Sequence, residues 1–250
     1  MPGIMAGVEF DGLYWHSAVW RSDLLHMSEK SRACESRGIK LAHVLEDEWR
    51  SFRAQTEWRI RQIICAGAAW KPAGMTLREI PDRQFERFMS GNSNDKYARR
   101  GKAKFGAFSG GRLVFAASAT KYRDKAVIRT LQGAIGADCS DAVPLLVEML
   151  RAKYGAARLF ARLDNRYPYD APLLRAGFRL VKITAPAEWI IDAKKWKRLP
   201  RRAYGKIKDD ARKSGMHEID YLHKAGMTAM YDCGQRVYEL AGSEETGMQP

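Results

Sequence analysis

The stretch AKFGAFSGGRLVFAASAT, residues 103–120, carries the clearest fold signal in this chain. Apolar residues alternate with small or polar ones on both sides of Gly110 and Gly111, as in two half-buried strands. A pair of glycines between such runs favours a tight turn, because glycine adopts positive φ without steric cost. We therefore expect an antiparallel β-hairpin here, to which neighbouring elements add further strands.

The residues around this hairpin predict a mixed sheet covered by helices. A short strand and the helix DRQFERFMSGN precede the hairpin, and the strand AVIRTLQGAI follows it. SDAVPLLVEMLRAKYG is amphipathic, with Ser140 as its predicted N-cap and Gly155 as its predicted end. The strand RLFARLD, the helix YDAPLLRAGF and the strand FRLVKI then complete the region. This order places an α/β domain over residues 77–192.

The first part of the chain has a different organisation. A strand in residues 7–16, a helix over 22–37, the strand IKLAHVLE and a single helix over 47–67 follow one another. The order strand, helix, strand, helix predicts a parallel α/β unit. Proline and glycine interrupt the periodicity near residues 70–76, so we predict a domain boundary there and a first domain over 1–72.

Composition and charge restrict the class of protein. The chain has 250 residues, of which 46% are hydrophobic and 29% charged, as in a folded protein. Its net charge of +14 predicts an anionic partner, most commonly nucleic acid, although solubility alone can also explain the charge. No apolar run is long enough to cross a bilayer, and the four scattered cysteines form no zinc or disulfide pattern. We expect a cytoplasmic protein with reduced thiols and no membrane partner.

The segment VEFDGLYWHS, residues 8–17, combines acids with a histidine. On a strand, Glu9 and Asp11 share one face, and we expect Val8 and Phe10 on the other, directed into the core. Paired carboxylates suit Mg²⁺ or Mn²⁺, and His16 can take a proton from a metal-bound water.

The second strand delivers more acids to the carboxyl edge of the same sheet, where ligands collect in parallel α/β units. These acids are Glu46, Asp47 and Glu48, of which Asp47 and Glu48 fit equally well as favourable charges at a helix N-terminus. Lys30 is read either as a phosphate contact or as an ordinary surface lysine, and His43 as a packed strand residue.

VEFDGLYWHS and HMSEKSRACESRGIKLAHVLEDEW together resemble the nuclease core of phage-encoded homing endonucleases of the EDxHD type, relatives of the very-short-patch repair endonuclease. The resemblance covers residues 8–65. It implies a restriction-endonuclease-like fold that cuts double-stranded DNA, with Glu9, Asp11 and Glu46 on Mg²⁺ as catalytic and metal-binding residues. It also implies that His16 is catalytic and that Trp15 contacts DNA.

One departure from that family concerns the metal. Family members carry an upstream strand with another acidic metal ligand, whereas the residues before Glu9 here, MPGIMAGV, contain no acid. Fewer carboxylates hold a strongly hydrated ion less well. We therefore expect impaired nuclease activity, with a DNA-binding protein carrying an inactive nuclease core as one alternative.

Residues 77–185, and above all ARLDNRYPYDAPLLRAGFRLVKI, are similar to the GNAT acyltransferases. The similarity implies a GNAT-like fold, and a GNAT-type N-acyltransferase is the other alternative function. In that family a glycine-rich loop before a helix binds the cofactor pyrophosphate. Here Gly133 and Gly136 do not match its spacing, and Asp138 and Asp141 place carboxylates near the phosphates. We therefore expect the acetyl-CoA site to be lost.

Two basic segments are predicted to contact DNA, with solvated surface as the competing interpretation. One is KYARRGKAK. The other, residues 193–213, holds ten lysines and arginines with Trp196 and Tyr204 between them, in a C-terminal segment over 193–242 that ends in a YDCG motif. The predicted DNA-contacting residues are Trp15, Lys30, Arg99, Arg100, Lys102, Lys194, Lys195, Lys197, Arg198, Arg201 and Arg202. The predicted fold class is thus α/β, a restriction-endonuclease-like core followed by a GNAT-like domain, and the oligomeric state stays open.

Overall fold

The computed structural model describes residues 5–18, 23, 25–64, 69–95, 100–199 and 201–242, with only the backbone described at 201–204. Its elements, in chain order, are β1 (Ala6–Asp11), α1 (His26–Glu35), β2 (Lys40–Leu45), α2 (Glu46–Ser51), α3 (Arg53–Ile64), β3 (Thr76–Glu79), α4 (Asp82–Asn92), β4 (Ala103–Ser109), β5 (Arg112–Tyr122), β6 (Lys125–Gly133), α5 (Ala142–Tyr154), β7 (Arg158–Asp164), α6 (Ala171–Arg175), β8 (Arg179–Ile183), β9 (Glu188–Asp192), β10 (Lys197–Arg198), α7 (Arg201–Lys213), α8 (Glu218–Lys224), β11 (Met227–Tyr231) and β12 (Gln235–Leu240). The α/β class is confirmed.

The chain divides into two compact units that alternate along the sequence. Unit 1 comprises Met1–Arg53, Asn165–Pro168 and Ala185–Gly234. Unit 2 comprises Ala54–Asp164, Tyr169–Thr184 and Gln235–Pro250. The three predicted domains are consecutive segments instead, and their boundaries at 1–72, 77–192 and 193–242 stay a prediction.

Unit 2 is built on a seven-stranded sheet in the order β3-β4-β5-β6-β7-β12-β8. Neighbouring strands are antiparallel except β6 and β7, which run parallel. The predicted hairpin supplies its second and third strands, β4 and β5, with φ of 55° at Gly110 and 77° at Gly111. Both values lie in the region that only glycine enters readily, which is why the turn needs this pair.

Helices α4 and α5 supply the apolar residues that cover this sheet. Phe85, Phe88 and Met89 share one face of α4 because they are three and four residues apart, and all three are buried. On α5, Val143, Leu146 and Leu150 repeat the same spacing in the same core. Burying a side chain of this size contributes about 1.5–3 kcal/mol, so these two helices are held mainly by packing.

Unit 1 contains two small sheets. β1 and β2 form a parallel pair in which Val8 lies opposite Ala42, and β10-β9-β11 form an antiparallel sheet. Its core joins Leu13, Met27 and Leu45 from the first part of the chain to Ile191, Met230 and Cys233 from the last part. The described residues therefore give no separate restriction-endonuclease-like core in residues 1–72, because Leu13, Met27 and Leu45 share their core with residues 191–233.

Two local predictions are corrected by the structure. The single helix over 47–67 is two helices, α2 and α3, because Phe52 leaves the helical region with φ −141° and ψ 46°. Ser140 does not cap α5, since its hydroxyl is hydrogen-bonded to Asp138 and the helix begins at Ala142.

None of the helices in the described ranges is both long and apolar enough to span a bilayer. Cys65 lies outside the described residues, and Cys34, Cys139 and Cys233 are free thiols.

Candidate functional site

The two faces of β1 are the reverse of the prediction. Val8 is 49% exposed and Phe10 55% exposed, whereas Asp11 is fully buried and Glu9 is partly buried. The acids turn inward because basic and polar partners from α1 and β2 meet them there, which lowers the cost of burying charge. The prediction that Val8 and Phe10 face the core is wrong.

Asp11 belongs to a buried chain of hydrogen bonds that includes Ser31 of α1 and His43 of β2. Asp11 Oδ2 lies 3.0 Å from His43 Nδ1, and His43 Nε2 lies 3.0 Å from Ser31 Oγ. Each ring nitrogen of His43 therefore has a hydrogen-bond partner within the protein. Ser31 Oγ also lies 3.5 Å from the Cys233 sulfur. The prediction of a packed strand residue holds for His43, but its partners Asp11 and Ser31 were not predicted.

The other predicted catalytic residues also have partners within the protein. His16 Nε2 lies 3.2 Å from Asp11 Oδ1, and Lys30 forms an ion pair with Glu9. Burial opposes ionisation of Glu9, but the hydrogen bond from Lys30 and nearby positive charge outweigh it, so the pKa of Glu9 is lowered. Glu46 Oε2 accepts a hydrogen bond of 3.1 Å from the Leu13 amide, which fixes the turn after β1.

The predicted metal ligands are not assembled as expected. One atom each of Glu9, Asp11 and His43 lie within 4.8 Å of one another, whereas Glu46 is not in this group. Lys30 pairs with one of these carboxylates and the imidazole of His43 with the other. Mg²⁺ prefers oxygen ligands and retains several waters, and a partly buried group that includes an imidazole and is already paired with Lys30 does not fit it.

A second buried cluster contains Asp47 and Glu48, two of the acids in the sequence EDEW at residues 46–49. The Arg198 Nε lies 3.0 Å and 3.1 Å from the two carboxylate oxygens of Asp47, and its Nη2 lies 2.7 Å from Glu48 Oε1. Glu48 also pairs with Arg166 at 2.9 Å and accepts a 2.8 Å hydrogen bond from the Tyr167 hydroxyl. All four charged groups are buried, so Arg198 stabilises unit 1 from within and is not part of a DNA-contacting surface.

Several other residues predicted to bind DNA have partners within the protein. Arg100 lies 3.6 Å from Glu86, and Lys30 is paired as described above. Trp15 is 61% exposed and packs edge-to-face on Tyr14, which in turn contacts Trp196 in the same way.

The structure describes only some of the other basic residues that were predicted to contact DNA. Lys102, Lys194, Lys195 and Lys197 are exposed. Arg99 and the side chains of Arg201 and Arg202 lie outside the described residues. Binding of double-stranded DNA therefore stays a prediction.

Unit 2 contains a gap within its sheet. The parallel strands β6 and β7 pair only from Lys125 opposite Arg158 to Ile128 opposite Ala161. Beyond that point, residues 130–133 remain paired with β5 after a register shift at Arg129, and residues 162–164 remain paired with β12, so the two strands diverge. We call this gap between 129–133 and 162–164 the wedge. It opens at the carboxyl ends of parallel strands, where α/β proteins bind ligands.

The loop from β6 to α5 borders the wedge, and several of its backbone amides already donate hydrogen bonds within unit 2. The amide of Ala134 donates to Val114 O at 2.8 Å and that of Asp138 to Trp70 O at 3.0 Å. Ile135 N donates to the Asn92 side chain at 2.9 Å. These hydrogen bonds hold the loop against other parts of unit 2 and leave those amides unavailable to a ligand.

The backbone amides in the first turn of α5 also donate hydrogen bonds within the protein. The amides of Ala142 and Val143 donate to the carbonyls of Cys139 and Ser140 at 3.0 Å and 3.2 Å, and the third residue, Pro144, has no amide hydrogen. A bound diphosphate needs free amides at such a helix N-terminus. These residues do not fit the pyrophosphate of acetyl-CoA in the usual way, and the loss of the acetyl-CoA site stays a prediction.

Comparison with known proteins gives likenesses among solved structures only. No family model and no curated protein matches this chain. A spermidine N-acetyltransferase from Vibrio cholerae is similar at 8% identity and a TM-score of 0.43, over 69% of this chain and 96% of that one. The Bacillus subtilis acetyltransferase in complex with CoA is similar at 14% identity and a TM-score of 0.39, over 67% of this chain and 97% of that one. The ribosomal-protein-S18-alanine N-acetyltransferase of Escherichia coli is similar at 10% identity and a TM-score of 0.35, over 70% of this chain and 99% of that one.

These findings correct the main functional prediction. Neither a family model nor a curated protein supports a homing endonuclease, and Leu13, Met27 and Leu45 share their core with residues 191–233 instead of forming a separate nuclease core. The identification as an EDxHD-type phage endonuclease, the expected hydrolysis of DNA and the Mg²⁺ or Mn²⁺ cofactor are therefore wrong.

Proposed function

We propose that this protein is a GNAT-type N-acyltransferase, which moves an acyl group from a thioester to a primary amine. The wedge between β6 and β7 is the observation that carries this proposal. The order of strands and helices in unit 2, which resembles the GNAT acyltransferases in sequence, supports it as well.

The wedge suits an extended ligand that carries amide groups. Strands present backbone N–H and C=O groups along their edges, and such groups need partners when they are not exposed to water. Where β6 and β7 diverge, each strand continues to pair on its outer side only. An extended chain with amides can pair with the inner edges as an added strand does. The arm of a pantetheine thioester has this character.

The reaction itself needs few groups from the protein. The amine nitrogen attacks the thioester carbonyl, a C–N bond forms and the C–S bond breaks. The thiolate leaves, and the proton released by the amine returns to it through solvent, which yields an amide and a thiol. Holding the two reactants in line accounts for much of the acceleration in such transfers.

The test is an acyl-transfer assay with purified full-length protein. Acetyl-CoA and S-acetylpantetheine serve as donors, and spermidine and a peptide with N-terminal alanine serve as acceptors. We expect thiol release coupled to the mass increase of one acetyl group on an acceptor.

A wedge variant distinguishes enzymatic transfer from the background reaction. Gln132→Trp places a large ring where the strands have diverged, whereas Lys125→Trp makes the same change on β6 where it is paired on both sides. We expect Gln132→Trp to lower the rate at least tenfold, about 1.4 kcal/mol in activation free energy, and Lys125→Trp to retain it. Equal rates for both variants, or no transfer by the wild-type protein with any donor, would contradict the proposal.

A further inference from the structure

We infer that the acyl donor is a pantetheine thioester bound without a nucleotide diphosphate in the loop before α5. This inference rests on the proposed acyltransferase function and names the donor class for the same site. It follows from a mismatch within unit 2, where the wedge suits the pantetheine arm but the adjoining loop does not suit a diphosphate.

The first part of the mismatch is the lack of hydrogen-bond donors. A helix N-terminus binds anions because its first amides have no partner within the helix. In α5 the amides of Ala142 and Val143 are occupied by the carbonyls of Cys139 and Ser140, and Pro144 contributes none. The first three positions of the helix therefore have no free donor to offer.

The second part is charge. The Ser140 hydroxyl donates to the Asp138 carboxylate, and this hydrogen bond outweighs burial and lowers the pKa of Asp138, which is therefore ionised at neutral pH. Asp141, the next acid, is exposed at the N-cap position of α5. Two carboxylates beside the first turn of the helix repel a doubly charged diphosphate.

A single phosphate is a less demanding ligand. The charges of Lys71 and Arg175 act on Asp138, and both side chains are exposed. Long cationic side chains bind one phosphodiester as point charges without an amide cradle. The site is thus compatible with pantetheine alone or with phosphopantetheine attached to a carrier protein.

Equilibrium binding to the full chain tests this inference independently of catalysis. Titrations compare S-acetylpantetheine, an acetylated acyl carrier protein and acetyl-CoA. Two charge-assisted hydrogen bonds to a diphosphate, at about tenfold in Kd each, would give acetyl-CoA a hundredfold advantage over S-acetylpantetheine. We expect acetyl-CoA to bind within about threefold of S-acetylpantetheine, since the nucleotide gains no such contacts.

The outcomes separate the two proposals. Much tighter binding of acetyl-CoA overturns the donor inference and leaves the acyltransferase proposal intact. Similar binding of the donors without transfer from any of them overturns the acyltransferase proposal, while failure of S-acetylpantetheine to bind overturns the donor inference. Tighter binding of the carrier protein than of free S-acetylpantetheine identifies the carrier as the source, and equal binding identifies the small thioester.

A gain-of-function variant gives a second readout. Asp138→Asn combined with Pro144→Ala removes one carboxylate and restores an amide at the exposed third position of α5. We expect acetyl-CoA to bind about tenfold tighter, with S-acetylpantetheine unchanged. Glu148→Gln, an exposed charge change further along the same helix, is the matched control and is expected to change neither. An equal gain for both donors would contradict the inference.

Discussion

Replacing Arg198 with methionine tests whether the buried cluster of unit 1 holds that unit together. The change preserves much of the side-chain volume but removes the partner of Asp47 and one partner of Glu48. Burial disfavours the charged guanidinium, yet the nearby carboxylates outweigh this effect and raise the pKa of Arg198. The arginine is therefore charged in the folded protein, and its loss leaves negative charge uncompensated.

The expected cost follows from the burial of all partners. Arg198 and Glu48 are 4% and 2% exposed, and Asp47 is 6% exposed. Removing one member of such a buried pair costs about 3–5 kcal/mol, whereas an exposed ion pair contributes about 0–1 kcal/mol. The methionine variant should thus lose about 3–5 kcal/mol of unfolding free energy in unit 1.

Urea unfolding followed by tryptophan fluorescence measures this loss, because the Trp189 ring centre lies 4.8 Å from the Arg198 guanidinium carbon. The matched control is Lys197→Met, an exposed neighbour on β10, which should change stability by less than about 0.5 kcal/mol. Adding Asp47→Asn to Arg198→Met removes the unpaired charge and should recover part of the loss. A loss below about 1 kcal/mol for Arg198→Met would refute the reasoning.

Three further predictions concern single residues. His43→Gln breaks the buried hydrogen-bond chain and should cost about 2–4 kcal/mol in urea unfolding, whereas the exposed His223→Gln should be neutral, and equal effects would contradict the assignment. Gly101→Ala brings a Cβ to 2.4 Å from a backbone nitrogen and should lower stability by about 1–3 kcal/mol, while Gly91→Ala on α4 meets nothing within 4 Å and should be neutral or stabilising in the same assay. Burial raises the pKa of the Cys139 thiol to about 11, above its value in the unfolded chain. The contribution of this thiol to the free energy of unfolding is therefore complete below about pH 8.5 and is lost as the pH rises toward 11. A Cys139→Ala variant should lack this decline in stability with pH.

Unit 2 was largely predictable because its signals are local. The Gly110-Gly111 turn, the apolar face of α4 and the glycine after α5 each specify structure within a few residues. The misfit of the loop before α5 was also predictable from the glycine spacing and from Asp138. The occupied amides were not, because their acceptors, such as Val114 and Trp70, come from distant parts of the chain.

Unit 1 was poorly predicted because its partners are remote in sequence. Alternation in VEFDG shows that two faces exist, but it does not show which one is buried. Only the positions of Lys30 and His43 explain why the acids face inward. Arg198 lies in a basic run whose charge pattern favours a surface, and its distance in sequence from Asp47 conceals the pairing.

The interleaving of the two units sets an order of events during synthesis. When the ribosome has produced β1, α1 and β2, the side chains of Leu13, Met27 and Leu45 are complete, but Ile191 and Met230 do not yet exist. The first part of unit 1 therefore cannot bury these apolar side chains, which stay exposed until residues up to Gly234 have emerged. A nascent chain arrested before β9 should bind a chaperone such as trigger factor, and release should follow completion of β11.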